Sequence, residues 1–365
     1  MGKRLKLNSQ PFEKYLAILF VFAILISSVQ AVRESRVIVT SKPSYIALSN
    51  PPEYLTLKWR PNIYFIVPDR MPSPDAMRES GINPDAFVQS MRDLGFYVKE
   101  NQVSADPFTA TSTDKNIKTT RTMRFFASVL NLGEDIPLDM PYKECRQLIT
   151  YPKIADVLHA NGYSFTNIAS WFAETKKIDA DFTYRYPSAS LMEKAFDGEL
   201  VEAFWERSIF RGMNLRVLQP QSMMNQIDRD RHIWQADTLK NVVPNSSQFV
   251  MAHILLPHEP FVWNSEGQPQ ADKSLTIPEQ YIQQIKFTEN YLMQLALDLR
   301  QVDPTAIIIF QADEGMAYKK PVELNYSLSP TQWSGVFTAW YIPGADEKVL
   351  HQLKHTEILK YILKK

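Results

Sequence analysis

The chain has a single cysteine, Cys145, in 365 residues. It cannot form an intrachain disulfide, so its stability has to come from a buried core. Glycine is scarce too, at 11 residues, and no Walker or dinucleotide-binding glycine pattern occurs. That excludes the nucleotide cradles built on such turns. No Gly-x-Ser-x-Gly elbow is present, which excludes the nucleophile turn of α/β-hydrolases. Neither sign of charge is in excess: 40 Lys and Arg balance 40 Asp and Glu. No whole-chain attraction to nucleic acid or anionic lipid follows, and any anion has to be held by a local site. After the N-terminus no segment is apolar enough to span a membrane, and no repeat or low-complexity tract is seen.

What is present begins with a core. Apolar residues make up 45% and charged residues 22%, a globular composition large enough for one big domain or two modest ones. Lys3, Arg4 and Lys6 precede an uncharged run from Tyr15 to Val32, apolar without a break from Leu16 to Ile26. The basic flank predicts that the rest of the chain crosses the membrane. Two readings stand. The run is an uncleaved single-pass anchor, the preferred reading, or a signal peptide cleaved after Ala31. The first puts the domain on the extracytoplasmic side of the cell membrane, periplasmic where an outer membrane exists. The second makes it secreted.

Residues 33–60, with Pro43, Pro51 and Pro52, read as a linker. From there short apolar runs alternate with segments of helical spacing. Strands are expected at Asn62–Val67, Tyr163–Ala169, Ser247–Leu255, Thr305–Phe310 and Val336–Ile342. Helices are expected at Pro84–Leu94, stopped by Gly95, and at Tyr151–Ala160, Asp228–Val242 and Glu279–Val302. Residues 346–365 read as a terminal helix. The alternation predicts an α/β fold over 61–345: three α/β/α layers around a mostly parallel sheet.

Ligands of such sheets sit beyond the carboxyl ends of the strands. That rule selects Asp69, His258 and the pair Asp313-Glu314, each following an apolar strand. Three carboxylates and an imidazole suit a divalent cation, Mn²⁺, Mg²⁺ or Zn²⁺. Taken singly, each has a plainer reading. Asp69 could cap a turn, His258 could be a loop histidine, and Asp313-Glu314-Gly315 could open a helix. Between Ser104 and Thr122 lie eight hydroxyl residues, any of which a neighbouring cation could activate, and which singly read as a polar surface loop.

These segments, in this order, resemble the sulfatase-like branch of the alkaline phosphatase superfamily. The residues that carry the resemblance are Pro61 to Asp69, Gly95 to Asn101, Gly162 to Phe165 with Ser170-Trp171-Phe172, Ala252 to Phe261, Ile307 to Gly315, and Trp333 to Gly344. The resemblance implies that Asp69, Asp313 and Glu314 bind a metal with a threonine that is both ligand and nucleophile. Counting from Asn101 nominates Thr109, the preferred residue, and counting back from Asn131 nominates Thr122. His258 and His253 would bind a second metal or the substrate's anionic group.

Two departures bear on function. Glu314 stands where the family usually has histidine. Cys145-Arg146-Gln147-Leu148 lacks the proline of the formylglycine motif, which argues against sulfate-ester hydrolysis. The implied activity is therefore phosphoester hydrolysis or phosphoryl transfer on an envelope phospholipid or glycan. The alternative is a catalytically degenerate relative that serves as a binding or structural component of the envelope.

Overall fold

The computed structural model describes residues 60–105, 119–187, 221–242, 247–316 and 328–364. Residues 1–59, which hold the expected membrane run and nearly all of the expected linker, lie outside these, as does most of 185–226. Among the described residues no helix is long and apolar enough to cross a membrane. The chain divides into two compact units, residues 1–39 with 187–227, and residues 40–186 with 228–365. Of the first, only Pro187 and the opening turns of one helix are described. The rest concerns the second.

Seven strands form one sheet: β1 (Ile63–Pro68), β2 (Tyr97–Val98), β3 (Ser164–Ile168), β4 (Phe182–Tyr184), β5 (Gln248–Ile254), β6 (Ile307–Gln311) and β7 (Thr338–Tyr341). Their spatial order is β2-β7-β6-β1-β5-β3-β4. The run from β6 to β4 is parallel. β7 lies antiparallel to both β6 and β2. The helices in chain order are α1 (Pro74–Glu79), α2 (Asp85–Asp93), α3 (Arg121–Val129), α4 (Tyr142–Thr150), α5 (Lys153–Ala160), α6 (Ala173–Lys176), α7 (Gln221–Asn241), α8 (Ile277–Val302), α9 (Pro330–Ser334), α10 (Glu347–Gln352) and α11 (Ile358–Ile362).

The layers follow from side-chain alternation along β1, all six of whose residues are buried. Successive strand residues point to opposite faces. Tyr64 and Ile66 enter a core with Phe87, Val88 and Met91 of α2 and Tyr281, Ile285, Leu292 and Leu299 of α8. Ile63, Phe65 and Val67 enter a second core with Phe126 of α3, Ile149 of α4, Leu158 of α5 and Ile358 of α11. Both faces are covered, so the expected three-layer α/β/α arrangement is the observed one. Each fully buried Leu, Ile or Phe contributes about 2 kcal/mol, which makes the two cores the main source of stability.

Local chemistry sets the element ends. Gly95 has φ +86° just after α2, a left-handed exit that glycine takes without a Cβ penalty. α8 opens on a capping box in which Thr276 accepts from the Glu279 amide and the Glu279 side chain accepts from Thr276. The C-terminal tail is two short helices where the sequence predicts one. Between them His355 is buried, stacked on Phe125 at 4.8 Å with its Nε2 2.6 Å from the Ala312 carbonyl oxygen. Satisfying that contact takes the chain out of the helix.

Candidate active site

Register brings the polar residues together. Ile66 pairs with Phe310 across β1 and β6. Carried on by three residues, that pairing sets Asp313 level with Asp69. On the other side of β1, Val67 pairs with His253 of β5. Asp69, His253 and Asp313 share the parity of Val67, so all three project from the sheet face that α3 covers. One ligand atom from each lies within 4.8 Å of the other two, and all three side chains are buried.

Asp69 Oδ1, Asp313 Oδ2 and His253 Nε2 are buried and have no hydrogen-bond partner among the described residues. Buried polar atoms are normally paired, so three orphans at one point fit a cation. The neighbours fix orientation. His253 Nδ1 shares a 3.0 Å hydrogen bond with Thr175 Oγ1, and Nε2 lies 3.4 Å from Asp69 Oδ2. A ligating imidazole is commonly held through its other nitrogen in this way. The Arg70 amide donates to Asp313 Oδ1 at 3.2 Å, and the Asp69 amide donates to the Ile254 carbonyl at 2.9 Å.

The two carboxyls titrate apart. Burial pushes Asp69 up, but the nearby His258 and His253 imidazoles and Arg70 outweigh it and bring the group down to about 2. Asp313 goes the other way. Burial and the facing charges of Asp69 and Glu314 raise it well above the usual carboxylate range, against a hydrogen bond from Thr122. Like charges in one dry pocket cannot both ionise cheaply without a cation between them.

Thr122 is the second residue of α3. The helix is capped by Thr120, whose side chain accepts from the Met123 amide at 3.1 Å. Thr122 is buried and lies close enough to Asp313 to draw its carboxyl down. The first amides of a helix have no intrahelical acceptor and carry partial positive charge, which favours an anion there. Thr109 lies outside the described residues.

Glu314 is occupied otherwise. Its Oε1 accepts from Arg70 Nε at 2.6 Å and its Oε2 lies 2.7 Å from Arg121 Nε. It is not among the three residues whose ligand atoms converge. The turn after it is tight. A Cβ on Gly315 would stand 2.4 Å from the Trp333 carbonyl oxygen, so glycine is required there. Arg70 has φ +64°, a left-handed backbone that costs a non-glycine residue roughly 1 kcal/mol or more. Its carbonyl accepts from Tyr281 Oη at 2.5 Å, which pins it from the α8 side. His258 stands on the loop after β5, with the Glu259 carbonyl against its Nδ1, close enough to Asp69 to lower its carboxyl. Gln284 of α8 holds that loop by donating to the His258 carbonyl at 2.8 Å.

Sequence reasoning placed His253 with the substrate and did not single out Arg70 or Arg121. The signal for His253 was its parity with Asp69 in a parallel pair. The arginines gave no local signal.

No family model matches the chain, and no curated protein is similar to it in sequence. Among solved structures, the chain is similar to the C-terminal periplasmic domain of the phosphoethanolamine transferase EptC from Campylobacter jejuni. The identity is 10% and the TM-score 0.48, over 84% of this chain and 89% of that one. It is similar to the lipooligosaccharide phosphoethanolamine transferase EptA from Neisseria meningitidis at 9% identity and TM-score 0.49, over 86% of this chain and 56% of that one. It is also similar to a Vibrio parahaemolyticus protein at 12% identity and TM-score 0.48, over 83% and 67%. That protein is described as belonging to the alkaline phosphatase superfamily, the group whose motifs the sequence resembles.

Proposed function

We propose that this chain is an exported, metal-dependent phosphoester hydrolase or phosphoryl-group transferase, with Thr122 as nucleophile and an envelope lipid or glycan as substrate. One observation carries the reading. Asp69, His253 and Asp313 converge with unpartnered ligand atoms, and a buried threonine at a helix start stands beside Asp313. Export and the envelope substrate rest on the N-terminal run.

Asp69 and Asp313 would hold the cation through their oxygens and His253 through Nε2, a mixed set that suits Mn²⁺ or Zn²⁺ better than Mg²⁺. Bound there, the ion would lower the pKa of a nearby hydroxyl and polarise a phosphoryl oxygen. The chain's own residues do the rest. Asp313, beside Thr122, would orient its hydroxyl. Thr122 Oγ1 forms a bond to phosphorus, the ester O–P bond breaks, and the leaving alcohol takes up a proton equivalent to the one the hydroxyl gave up. Water or an acceptor hydroxyl then attacks the phosphothreonine, frees Thr122 and loses its proton in turn. The α3 amides face the group that carries the developing charge.

The test is turnover of bis(p-nitrophenyl) phosphate and p-nitrophenyl phosphate by the full chain in detergent, with Mn²⁺, Zn²⁺ or Mg²⁺. Metal-dependent turnover that Thr122→Ala abolishes supports the reading. Loss in Thr109→Ala with retention in Thr122→Ala would move the nucleophile. No bound metal and no turnover in any condition would end the enzyme reading. The mature N-terminus separates the export forms: a chain beginning at Val32 is a cleaved one.

A second reading, a non-catalytic envelope component, is favoured by Glu314, whose two oxygens are committed to arginines. It is the reading that remains if the protein binds metal and turns over nothing.

A further inference from the structure

Arg121 is the first residue of α3 and only 7% exposed. Its guanidinium is held on three sides. Nε meets Glu314 Oε2 at 2.7 Å, Nη1 donates to the Trp333 carbonyl at 2.8 Å, and the Trp333 ring lies 3.8 Å from Cζ. Nη2 is buried and has no hydrogen-bond partner among the described residues. Leaving guanidinium N–H groups dry and unpaired is costly, yet the rest of the side chain is fixed so that Nη2 stays so. The next residue is Thr122. Glu314 is shared by Arg121 and Arg70, and Glu259 is 3.7 Å from Arg70, so Arg121 has no carboxylate to itself.

We infer that Arg121 binds a non-bridging oxygen of the phosphoryl group through Nη2, and that Glu314 is the positioning residue that sets it. The Asp-Glu pair then divides its work. Asp313 turns to the cation side and to Thr122, and Glu314 turns to the guanidinium that meets the substrate. This gives a reason for glutamate in a place where the resemblance expects histidine. A planar, doubly anchored guanidinium with one edge open suits a tetrahedral oxyanion. The inference rests on the phosphoryl-transfer reading and deepens it.

The rival explanation is that Arg121 only neutralises Glu314. Calorimetry on the full chain in detergent separates the two, with inorganic phosphate as probe and with and without Mn²⁺. If Arg121 is a ligand, Arg121→Gln weakens phosphate about tenfold or more while Mn²⁺ affinity stays within about twofold. Arg121→Lys recovers part of the loss. The double variant Arg121→Gln/Glu314→Gln leaves no Glu314 charge to neutralise, and it does not recover phosphate binding. Should Arg121→Gln alone fail to fold, the double variant carries the same test. Wild-type phosphate affinity in either variant overturns the inference, as does a wild-type protein that binds no phosphate in either state. Turnover with phosphate binding indifferent to Arg121 removes this inference and keeps the proposed function. Phosphate binding that depends on Arg121 without any turnover does the reverse.

Discussion

The two sides of the sheet, at the same end of β1, treat buried polar groups in opposite ways. On the α8 side Gln284 is completely buried and spent: its Oε1 accepts from the Val262 amide at 2.7 Å and the Trp263 amide at 3.2 Å, and its Nε2 donates to His258. Tyr281 and Thr288 of the same helix are likewise bonded to carbonyls. On the α3 side Asp69, Asp313, His253 and Arg121 each keep one buried atom unpaired. Lone orphans occur elsewhere, as at Tyr64 Oη and Thr166 Oγ1. Four ionisable side chains with open valences around one helix start are a different matter. One side is satisfied scaffold, and the other gathers open valences whose chemistry fits a cation.

The largest effect that would sharpen this contrast is kinetic. Thr122→Ala should cut metal-dependent turnover at least a thousandfold with little change in melting temperature, read by steady-state assay and thermal unfolding. Next, Asp313→Asn should weaken Mn²⁺ or Zn²⁺ at least about a hundredfold in a calorimetric titration, since it removes a charged ligand from a set of three. On the scaffold side Gln284→Ala should leave metal binding in place but cost about 3 kcal/mol in denaturant unfolding, because it strands buried amides and a carbonyl. Equal loss of metal binding in Gln284→Ala would break the comparison.

A smaller effect comes from the floor of the site. Burial outweighs the hydrogen bond from His355 Nε2 to the Ala312 carbonyl and holds the imidazole down at about 4. The folded-state value lies below the unfolded value of about 6.5. His355 therefore contributes stability that is present above pH ~6.5 and lost as pH falls toward 4, roughly 2 kcal/mol by pH 5. Melting temperature against pH should show that slope in the wild type and lose it in His355→Gln.

How much of this was readable in the sequence depended on how local each signal was. β1, β5 and β6 are mostly apolar runs followed by polar loops, and α8 announces itself by spacing. Asp69 and Asp313 were visible because each follows such a run within two residues. α3 entered only through the resemblance, by counting back from Asn131 to Thr122, and residue type did not reveal that Arg121, Thr122, Arg124 and Ser128 are buried along with its apolar residues. His253 sits inside a strand, so its partnership with Asp69 exists only once β1 and β5 are in register. The direction Glu314 takes depends on Arg70 and Arg121, 244 and 193 positions away in sequence, and no local pattern encodes that.

The smallest prediction is the most pointed, because it reverses sign between the two sides. In the metal-free protein Asp313 is raised by burial and by the charges of Asp69 and Glu314. A carboxyl with a raised folded-state pKa contributes stability below its unfolded value near 4, and that contribution is lost as pH rises. At neutral pH the metal-free fold carries the cost of ionising a second carboxylate beside Asp69, or of keeping it protonated. Asp313→Asn keeps the shape and removes the charge, so the metal-free variant should be more stable than wild type by roughly 1 kcal/mol at pH 7.5, with the gain shrinking toward pH 4. Adding Mn²⁺ should invert the order, since the wild type gains more binding free energy from the ion than the variant does. Denaturant unfolding of both proteins with and without metal reads all four states. If Asp313→Asn is destabilised in both, the carboxylates are structural and the open valences on the α3 side mean nothing special. If it gains stability without metal and loses its lead with metal, the α3 side is a place where the fold gives up stability to hold an ion, and Gln284, which can only lose by substitution, is its control.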